Sequence, residues 1–376
     1  MPASSIRWAG RCQVLRMLLK KPLVNRKEII SEIGVSQSTL SYITRELLSR
    51  QLIHVREISQ KRGRPYQILS LNPKAWSVIG IKMGREEVRG TLFDATIKPV
   101  KTWKIKIYSD LRSNEGYMNA LQKVLKELYC ENLLGIGICS SGLVQNGKVV
   151  VSHLMGIRQL NLKEILRNTL SIGNILVMND VDALAYAVLH SLNMEDVLVI
   201  SYGTGIGASF CTRDRFHHFE IGHAVVADSG KCYCGQTGCL EYHASEYAVL
   251  KKYLKKEISF ADFVEKEEEK YRAHIEELRS DARTNFSAVY QYYKKAFHEL
   301  SKLLGSIIML LNPKHVIFLG EGMVSNQMVE ALRKDIQLSY NTEFLGNVEF
   351  QLGHADWESG VALAVTHKFL SKAAKW

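Results

Sequence analysis

Apolar residues recur at helical spacing over residues 11–20, where Val14, Leu15, Leu18 and Leu19 share a face and Pro22 bounds the run. A second short helix is predicted over Arg26–Ile33, with Ile29, Ile30 and Ile33 on one side and Gly34 supplying the positive φ of a tight helix exit. Ser36 is placed to cap a third helix, Gln37–Arg50, whose buried face is expected to be Leu40, Ile43, Leu47 and Leu48. Its opposite face presents Gln37, Ser38, Thr39, Ser41, Tyr42 and Arg45. Two strands follow, Leu52–Ile58 and Tyr66–Leu71, joined by the cationic tip Gln60-Lys61-Arg62-Gly63-Arg64-Pro65. Helix, short turn, polar-faced helix and hairpin make up the plan of a winged helix-turn-helix.

From Ser77 onward the pattern changes to alternating strands and helices. Residues 78–84 and 88–94 read as a hairpin, and residues 133–144 as a buried strand entering a glycine-rich turn. Residues 174–180 form another strand, which ends on Asn179 and Asp180. A long apolar-faced helix closes before Pro313, and the strand from His315 runs into Gly320. An α/β body with two mixed sheets is expected. Lys251–Tyr293 is charged and mostly helical in pattern, and reads as a solvated helical insert. Gly203-Thr204-Gly205-Ile206-Gly207 resembles a dinucleotide-binding fingerprint, but residues 208–212 continue as a strand where that fingerprint needs a helix. The loop is therefore a hairpin turn, either one that offers backbone N–H groups to a phosphate or simply a tight turn.

Charge separates these two regions. The chain has 376 residues and a net charge of +11, and residues 1–74 hold 14 Lys and Arg against four acids, a balance of +10. The other 302 residues are nearly neutral, with 35 basic and 34 acidic residues. A domain boundary is placed there, giving a DNA-binding head (1–74) and a body (75–376). Clustered cations gain by displacing counterions from phosphates, so duplex DNA is the partner expected for the head. Ser38, Thr39, Ser41, Tyr42 and Arg45, with Gln37 beside them, suit base edges in a major groove. Arg62 and Arg64 suit a narrow minor groove. There is no uninterrupted apolar run of the ~20 residues a membrane span needs and no secretion signal, so no membrane partner and a cytoplasmic location are expected.

Three of the seven cysteines fall close together, Cys232, Cys234 and Cys239, with His223 upstream. Four soft or borderline ligands in a short glycine-rich segment, residues 223–239, predict a closed structural zinc site, one ion per chain. Glu220 and Glu241 flank it, and Asn179-Asp180 ends an apolar strand, a usual place for ligand contacts in α/β folds. Taken singly, each is equally well a surface acid or turn cap. Together they offer the paired acceptors that sugar hydroxyls require.

These motifs, Glu220-Ile221-Gly222-His223 and the run from Cys232 to Glu241, resemble the ROK family (repressors, open reading frames and sugar kinases). With the Arg-Gly-Arg-Pro tip, the likeness is to its xylose-repressor and N-acetylglucosamine-repressor branch, over nearly the whole chain. The resemblance implies an actin-like, hexokinase-like body of two lobes, zinc on His223, Cys232, Cys234 and Cys239, and sugar contacts from Asn179, Asp180, Glu220, His223 and Glu241. Family kinases use a carboxylate at the position of Asp180 as general base, retained here as a vestigial base. Their Asp-x-Gly-Gly-Thr phosphate loop reads Lys82-Met83-Gly84-Arg85-Glu86, which removes a magnesium ligand and crowds the backbone cradle. Ser152-His153 stands where the family has Pro-Asn, and Gly320-Glu321-Gly322 replaces a triple-glycine adenosine turn. The expectation is a non-enzymatic, sugar-responsive regulator, most simply a repressor, whose operator binding changes with a monosaccharide or small oligosaccharide. It is expected to act as a homodimer, with pairing of dimers into a tetramer left open. A sugar kinase with an appended DNA-binding head is the alternative.

Overall fold

The computed structural model describes residues 3–58, 66–170, 173–192, 194–212 and 215–372, so Arg62, Arg64 and the rest of the hairpin tip lie outside the described residues. The head opens with a helix, Ala3–Lys20, which starts well upstream of its apolar stretch. The next helix, Arg26–Ile33, begins in a reciprocal cap. Asn25 Oδ1 accepts the Glu28 N–H at 3.0 Å, and the Glu28 carboxylate accepts the Asn25 N–H at 3.2 Å. Gly34 ends it at φ 72°. Ser36 Oγ accepts the Thr39 N–H at 3.1 Å and starts the third helix, Gln37–Ser49. Its buried stripe is Leu40, Ile43, Thr44 and Leu47. Leu48, expected inside, is exposed, because Thr44 completes the spacing and satisfies its hydroxyl on the Leu40 carbonyl at 2.7 Å. Strands Ile53–Ile58 and Tyr66–Leu71 pair antiparallel, and the latter also pairs with Val24–Asn25.

The body repeats one topology twice. In the first lobe Ser77–Met83 pairs antiparallel with Glu87–Asp94, which pairs antiparallel with Pro99–Lys106. On its other side Ser77–Met83 runs parallel to Leu133–Ser140, and that strand runs parallel to Ile175–Asn179. In the second lobe Val197–Tyr202, Ile206–Thr212 and Arg215–Phe219 form the antiparallel part, and His315–Leu319 and Glu349–Leu352 the parallel part. This doubling is the two-lobed, mixed-sheet arrangement expected. Helix Asp180–Leu192 leads from the first sheet to the second. The C-terminal helix, Trp357–Lys372, returns and packs on Ser77–Met83, Leu133–Ser140 and Asp180–Leu192. Among the described residues no helix is long and apolar enough to cross a membrane.

The segment Lys251–Tyr293 corrects the sequence reading. It is no solvated insert: Phe260, Phe263, Tyr271, Ile275, Leu278, Ala282, Phe286 and Val289 are buried in the core of the second lobe. From Tyr271 on, the buried positions fall three or four residues apart, a stripe hidden between charged positions that face water. The helical run Glu268–Leu311 breaks at Asn285 (φ −153°, ψ 83°), and the freed Phe286 N–H donates to Gln327 Oε1 at 3.0 Å.

The head does not end at a hydrophilic seam. Leu15, Leu18, Leu69 and Leu71 share one buried cluster with Trp76, Val78, Ala362, Leu363 and Leu370 of the body. The Cys12 thiol donates to the Leu370 carbonyl, and Arg16 reaches the His367 carbonyl at 3.3 Å. Head and first lobe are accordingly expected to melt in one calorimetric transition. Leu15→Ala should lower stability by about 2–5 kcal/mol and shift that whole transition. A separate early transition for the head, with the body unmoved, would contradict the shared cluster.

Candidate functional site

A cleft of about 670 Å³ opens where the parallel strands of the first lobe end and face the glycine turn of the second. All five sugar-contact candidates, Asn179, Asp180, Glu220, His223 and Glu241, line it. Asn179 is fixed in place, its amide donating to the Gly142 carbonyl at 3.0 Å and its oxygen accepting the Val181 N–H at 2.8 Å. Asp180 starts its helix with its carboxylate bound to Lys82 Nζ, which also lies 4.6 Å from the centroid of the Trp357 ring. The Asp180 carboxylate therefore faces an ammonium. Burial raises the Glu220 carboxyl above its ordinary range, opposed by His223 and His218. Glu241 is fully withdrawn from water and accepts the Ile206 N–H at 3.0 Å and the Tyr233 hydroxyl at 2.6 Å, and burial pushes it up to about 7.

His223 ends a 3₁₀ turn, Ile221–His223, and the loop from Cys232 to Cys239 folds back against it through the bridges Val225–Cys239 and Lys231–Thr237. Gly238 makes this return possible: its φ is 81°, and a Cβ there would fall 1.6 Å from the Ala227 carbonyl oxygen. The donor atoms of His223, Cys232, Cys234 and Cys239 all lie within 4.8 Å of one another. Cys234 and Cys239 sulfurs are 3.7 Å apart, and His223 Nδ1 is 3.8 Å from the Cys232 sulfur. Tetrahedral ligands at the ~2.3 Å of a metal–thiolate bond are separated by about 3.8 Å, so this donor set fits a four-coordinate ion. Burial lowers the His223 imidazole, keeping it in the neutral form that ligates.

The opposite wall contains residues the sequence did not single out. Arg279, buried, grips Glu246 through two bonds of 2.8 and 2.6 Å, and also reaches Glu276 at 2.7 Å and Glu321 at 3.3 Å. Glu246 in turn donates its N–H to the Gly203 carbonyl at 3.0 Å. The glycine turn is thus the hairpin expected, but its Ile206 N–H is spent on Glu241 and carboxylates stand against it. Arg89 is anchored on the buried Glu358. Ser152 and His153 line the cleft, as do Arg85 and Trp357.

On the head, Gln37, Ser38, Thr39, Tyr42 and Arg45 are exposed, and Ser41 is half-buried. Ser38 and Thr39 hydroxyls sit 2.9 and 2.8 Å from Ser36 Oγ, and Ser41 Oγ accepts from Arg26 at 2.6 Å. The helix start is therefore rigid, with the longer side chains, Tyr42 and Arg45, projecting from it.

Comparison with known proteins adds four likenesses. A family model, that of the ROK family, matches residues 78–363. The xylose repressor of Bacillus subtilis (strain 168) is 26% identical over 89% of this chain and 88% of its own length. A crystal structure of a ROK family transcriptional regulator, a homolog of the E. coli Mlc protein, superposes with a TM-score of 0.77 at 20% identity, covering 98% of both chains. A ROK family glucokinase from Streptomyces griseus, in complex with glucose and AMPPNP, gives a TM-score of 0.60 at 18% identity, covering 77% of this chain and 98% of its own.

The Arg279–Glu246 pair yields a direct check. Arg279→Met leaves a carboxylate buried without its cation, and denaturant unfolding should show a loss of about 3–5 kcal/mol. Adding Glu246→Gln should recover much of it. A neutral single variant would mean that water already screens the pair.

Proposed function

Because this chain belongs to the ROK family, we propose that it is a sugar-responsive transcriptional repressor, with a winged helix-turn-helix head over residues 1–74 and a sugar-binding body over residues 75–376. The observation that carries the reading is the extent of the likeness. The relative named a repressor aligns over 89% of the chain, more than the body alone contains, whereas the glucokinase covers 77%.

The head binds an operator as part of a homodimer, so the operator is expected to hold two half-sites related by a two-fold axis. Gln37, Ser38, Thr39, Ser41, Tyr42 and Arg45 face the major groove. Tyr42 and Arg45 reach farthest, and Arg62 and Arg64 enter the adjoining minor groove.

The body takes a monosaccharide or small oligosaccharide. Asn179, at the end of the first sheet, and Glu220, at the end of a strand of the second, offer hydrogen bonds to it from the two lobes. Glu241 braces the glycine turn behind them and presents its remaining lone pairs. Zinc is the ion the Cys₃His set suits; His223, Cys232, Cys234 and Cys239 would hold it, which would brace the loop 223–239 and orient the His223 ring. The ring nitrogen left free of the ion would then face a sugar hydroxyl. Lys82 occupies the Asp180 carboxylate as an ion-pair partner, so the carboxylate is not open to a substrate hydroxyl and the body binds without transferring phosphate. Sugar held between the lobes shifts their equilibrium and with it the spacing of the two heads. A coupling of ~1–3 kcal/mol alters operator affinity by roughly 5–150-fold.

The retained Asp180 and the kinase-like fold sustain one competing reading, an ATP-dependent sugar kinase with a DNA-binding head. A sugar panel scored by release of operator DNA tests the repressor reading; no change in DNA affinity with any sugar would sink it. A coupled assay with magnesium and ATP separates the two, since sugar-dependent phosphate transfer above an Asp180→Ala control would establish the kinase. Metal analysis should find about one zinc per chain, lost in Cys234→Ser together with most sugar affinity. Arg45→Ala should weaken operator binding by about 1–3 kcal/mol and relax specificity at the base it reads.

A further inference from the structure

Far from the cleft, the first sheet ends in an open edge. Its outer strand, Pro99–Lys106, pairs on one side with Glu87–Asp94 and on the other with no strand among the described residues. Every residue of it except Ile105 is exposed. The register decides which backbone groups are free. Ile107 donates its N–H to the Glu86 carbonyl at 2.7 Å, and opposed pairs in an antiparallel ladder are alternately bonded and non-bonded. Lys101, Trp103 and Ile105 therefore turn their N–H and C=O groups toward Glu87–Asp94, and Thr102, Lys104 and Lys106 turn theirs outward. The Thr91 and Thr102 hydroxyls, 3.0 Å apart, agree with the close approach of side chains at a non-bonded pair. The strand is held at both ends: the Ala95 N–H of the preceding turn donates to the Pro73 carbonyl at 3.1 Å, and Ile107 is buried. An edge fixed in this way can take on another strand without first ordering itself.

The side chains of the edge define what fits it. From Ala95 to Ser109 the chain has four lysines, Lys98, Lys101, Lys104 and Lys106, and no acid, within a body otherwise close to neutral. Lys101 donates to the Glu127 carbonyl of the helix Asn114–Leu128 at 2.7 Å, and Lys104 lies 3.6 Å from Glu87. Lys98 and Lys106 meet no carboxylate among the described residues. Two copies of this edge laid side by side would set lysine against lysine, whereas an acidic strand would be drawn to it. The two faces also differ. Lys104 and Lys106 share one with Thr102, and Trp103, 41% exposed, shares the other with Ile105. The face of Trp103 is that of the helix, since Gly90 opposite it lies against Val124 and Leu128.

We propose that Pro99–Lys106 is a docking edge for an extended acidic segment of a partner protein, which adds to the five-stranded first sheet as a further strand. In that segment acids alternate with apolar residues, the acids on the face of Lys104 and Lys106 and the apolar residues beside Trp103 and Ile105. Main-chain bonds to Thr102, Lys104 and Lys106 supply affinity, and the alternation supplies selectivity. The edge begins where Phe93 and Ala95 join the buried cluster that head and body share, so a docked partner lies next to that joint.

The test uses the full chain and labelled peptides of about ten residues, enough to span a strand of ordinary length. One alternates Glu with Val, a second alternates Lys with Val, and a third holds the Glu and Val residues in two separate blocks. A fourth is the Glu–Val peptide N-methylated on its Glu residues, which removes the donors that face the edge and leaves the charge. By fluorescence anisotropy the first should bind roughly tenfold or more tighter than any of the other three. On binding, hydrogen exchange should slow at the Thr102, Lys104 and Lys106 amides, while those of Lys101, Trp103 and Ile105, already bonded, change little. Lys104→Glu with Lys106→Glu, at exposed positions outside the core, should transfer the preference to the Lys–Val peptide. Equal binding of the blocked or N-methylated peptide, or unchanged exchange at the three outward amides, overturns strand addition and leaves only a charged surface. No binding of the Glu–Val peptide overturns the docking edge altogether.

Discussion

A charge withdrawn from water has to be met by an opposite one, and the interior of the cleft is organised by that requirement. Asp180 is met by Lys82, Glu358 by Arg89 and Glu246 by Arg279, and each pair joins segments far apart in the chain. The pairs do more than hold the walls. Lys82 engages Asp180 at the end of the first sheet and makes it half of an ion pair. Arg279 and Glu321 fill with charge the corner beside the glycine turn, where a nucleotide would need backbone amides and open space. The partners of these residues, more than the residues themselves, thus set the character of the cleft.

The cluster of His223 and three cysteines works on the facing wall by a different means. Glu220 and His223 lie on one short turn, and Glu241 follows Cys239 by two residues, so a single closed loop sets the positions of three cleft side chains. Tyr233, inside that loop, donates to Glu241, and Glu241 accepts the Ile206 amide. Loop, carboxylate and glycine turn form one hydrogen-bonded series, and a displaced loop would loosen the turn as well as the pocket.

Much of this was legible in the sequence because it was local. Gly34 and Ser36 mark helix ends by their own chemistry, and the head's elements lie nearly where spacing put them. His223 and the three cysteines lie within one short segment, so their convergence could be read before any fold was known. The doubled sheet showed only as alternating strands and helices; its matching strand order is a property of pairing between distant segments. What escaped was long-range or masked. Arg279 meets Glu246 across 33 positions and Lys82 meets Asp180 across 98, and neither pairing has a local signal. Trp357 reaches the cleft from near the C-terminus for the same reason. The buried stripe from Tyr271 to Val289 was present in the spacing, but a run rich in Glu, Lys and Arg concealed it. Leu48 was misjudged because a threonine, with its hydroxyl turned back onto the helix, can occupy an apolar stripe.

The C-terminal helix has one further property. It is 16 residues long, a rod of roughly 24 Å at ~1.5 Å per residue. Trp357 at one end lies under the ammonium of Lys82, and Leu370 near the other is packed among the apolar residues of the head. A stiff strut anchored at both extremities cannot tilt at one without moving the other. Whatever prises Lys82 from its seat therefore acts on a lever whose far arm is already embedded in the apolar cluster of the head.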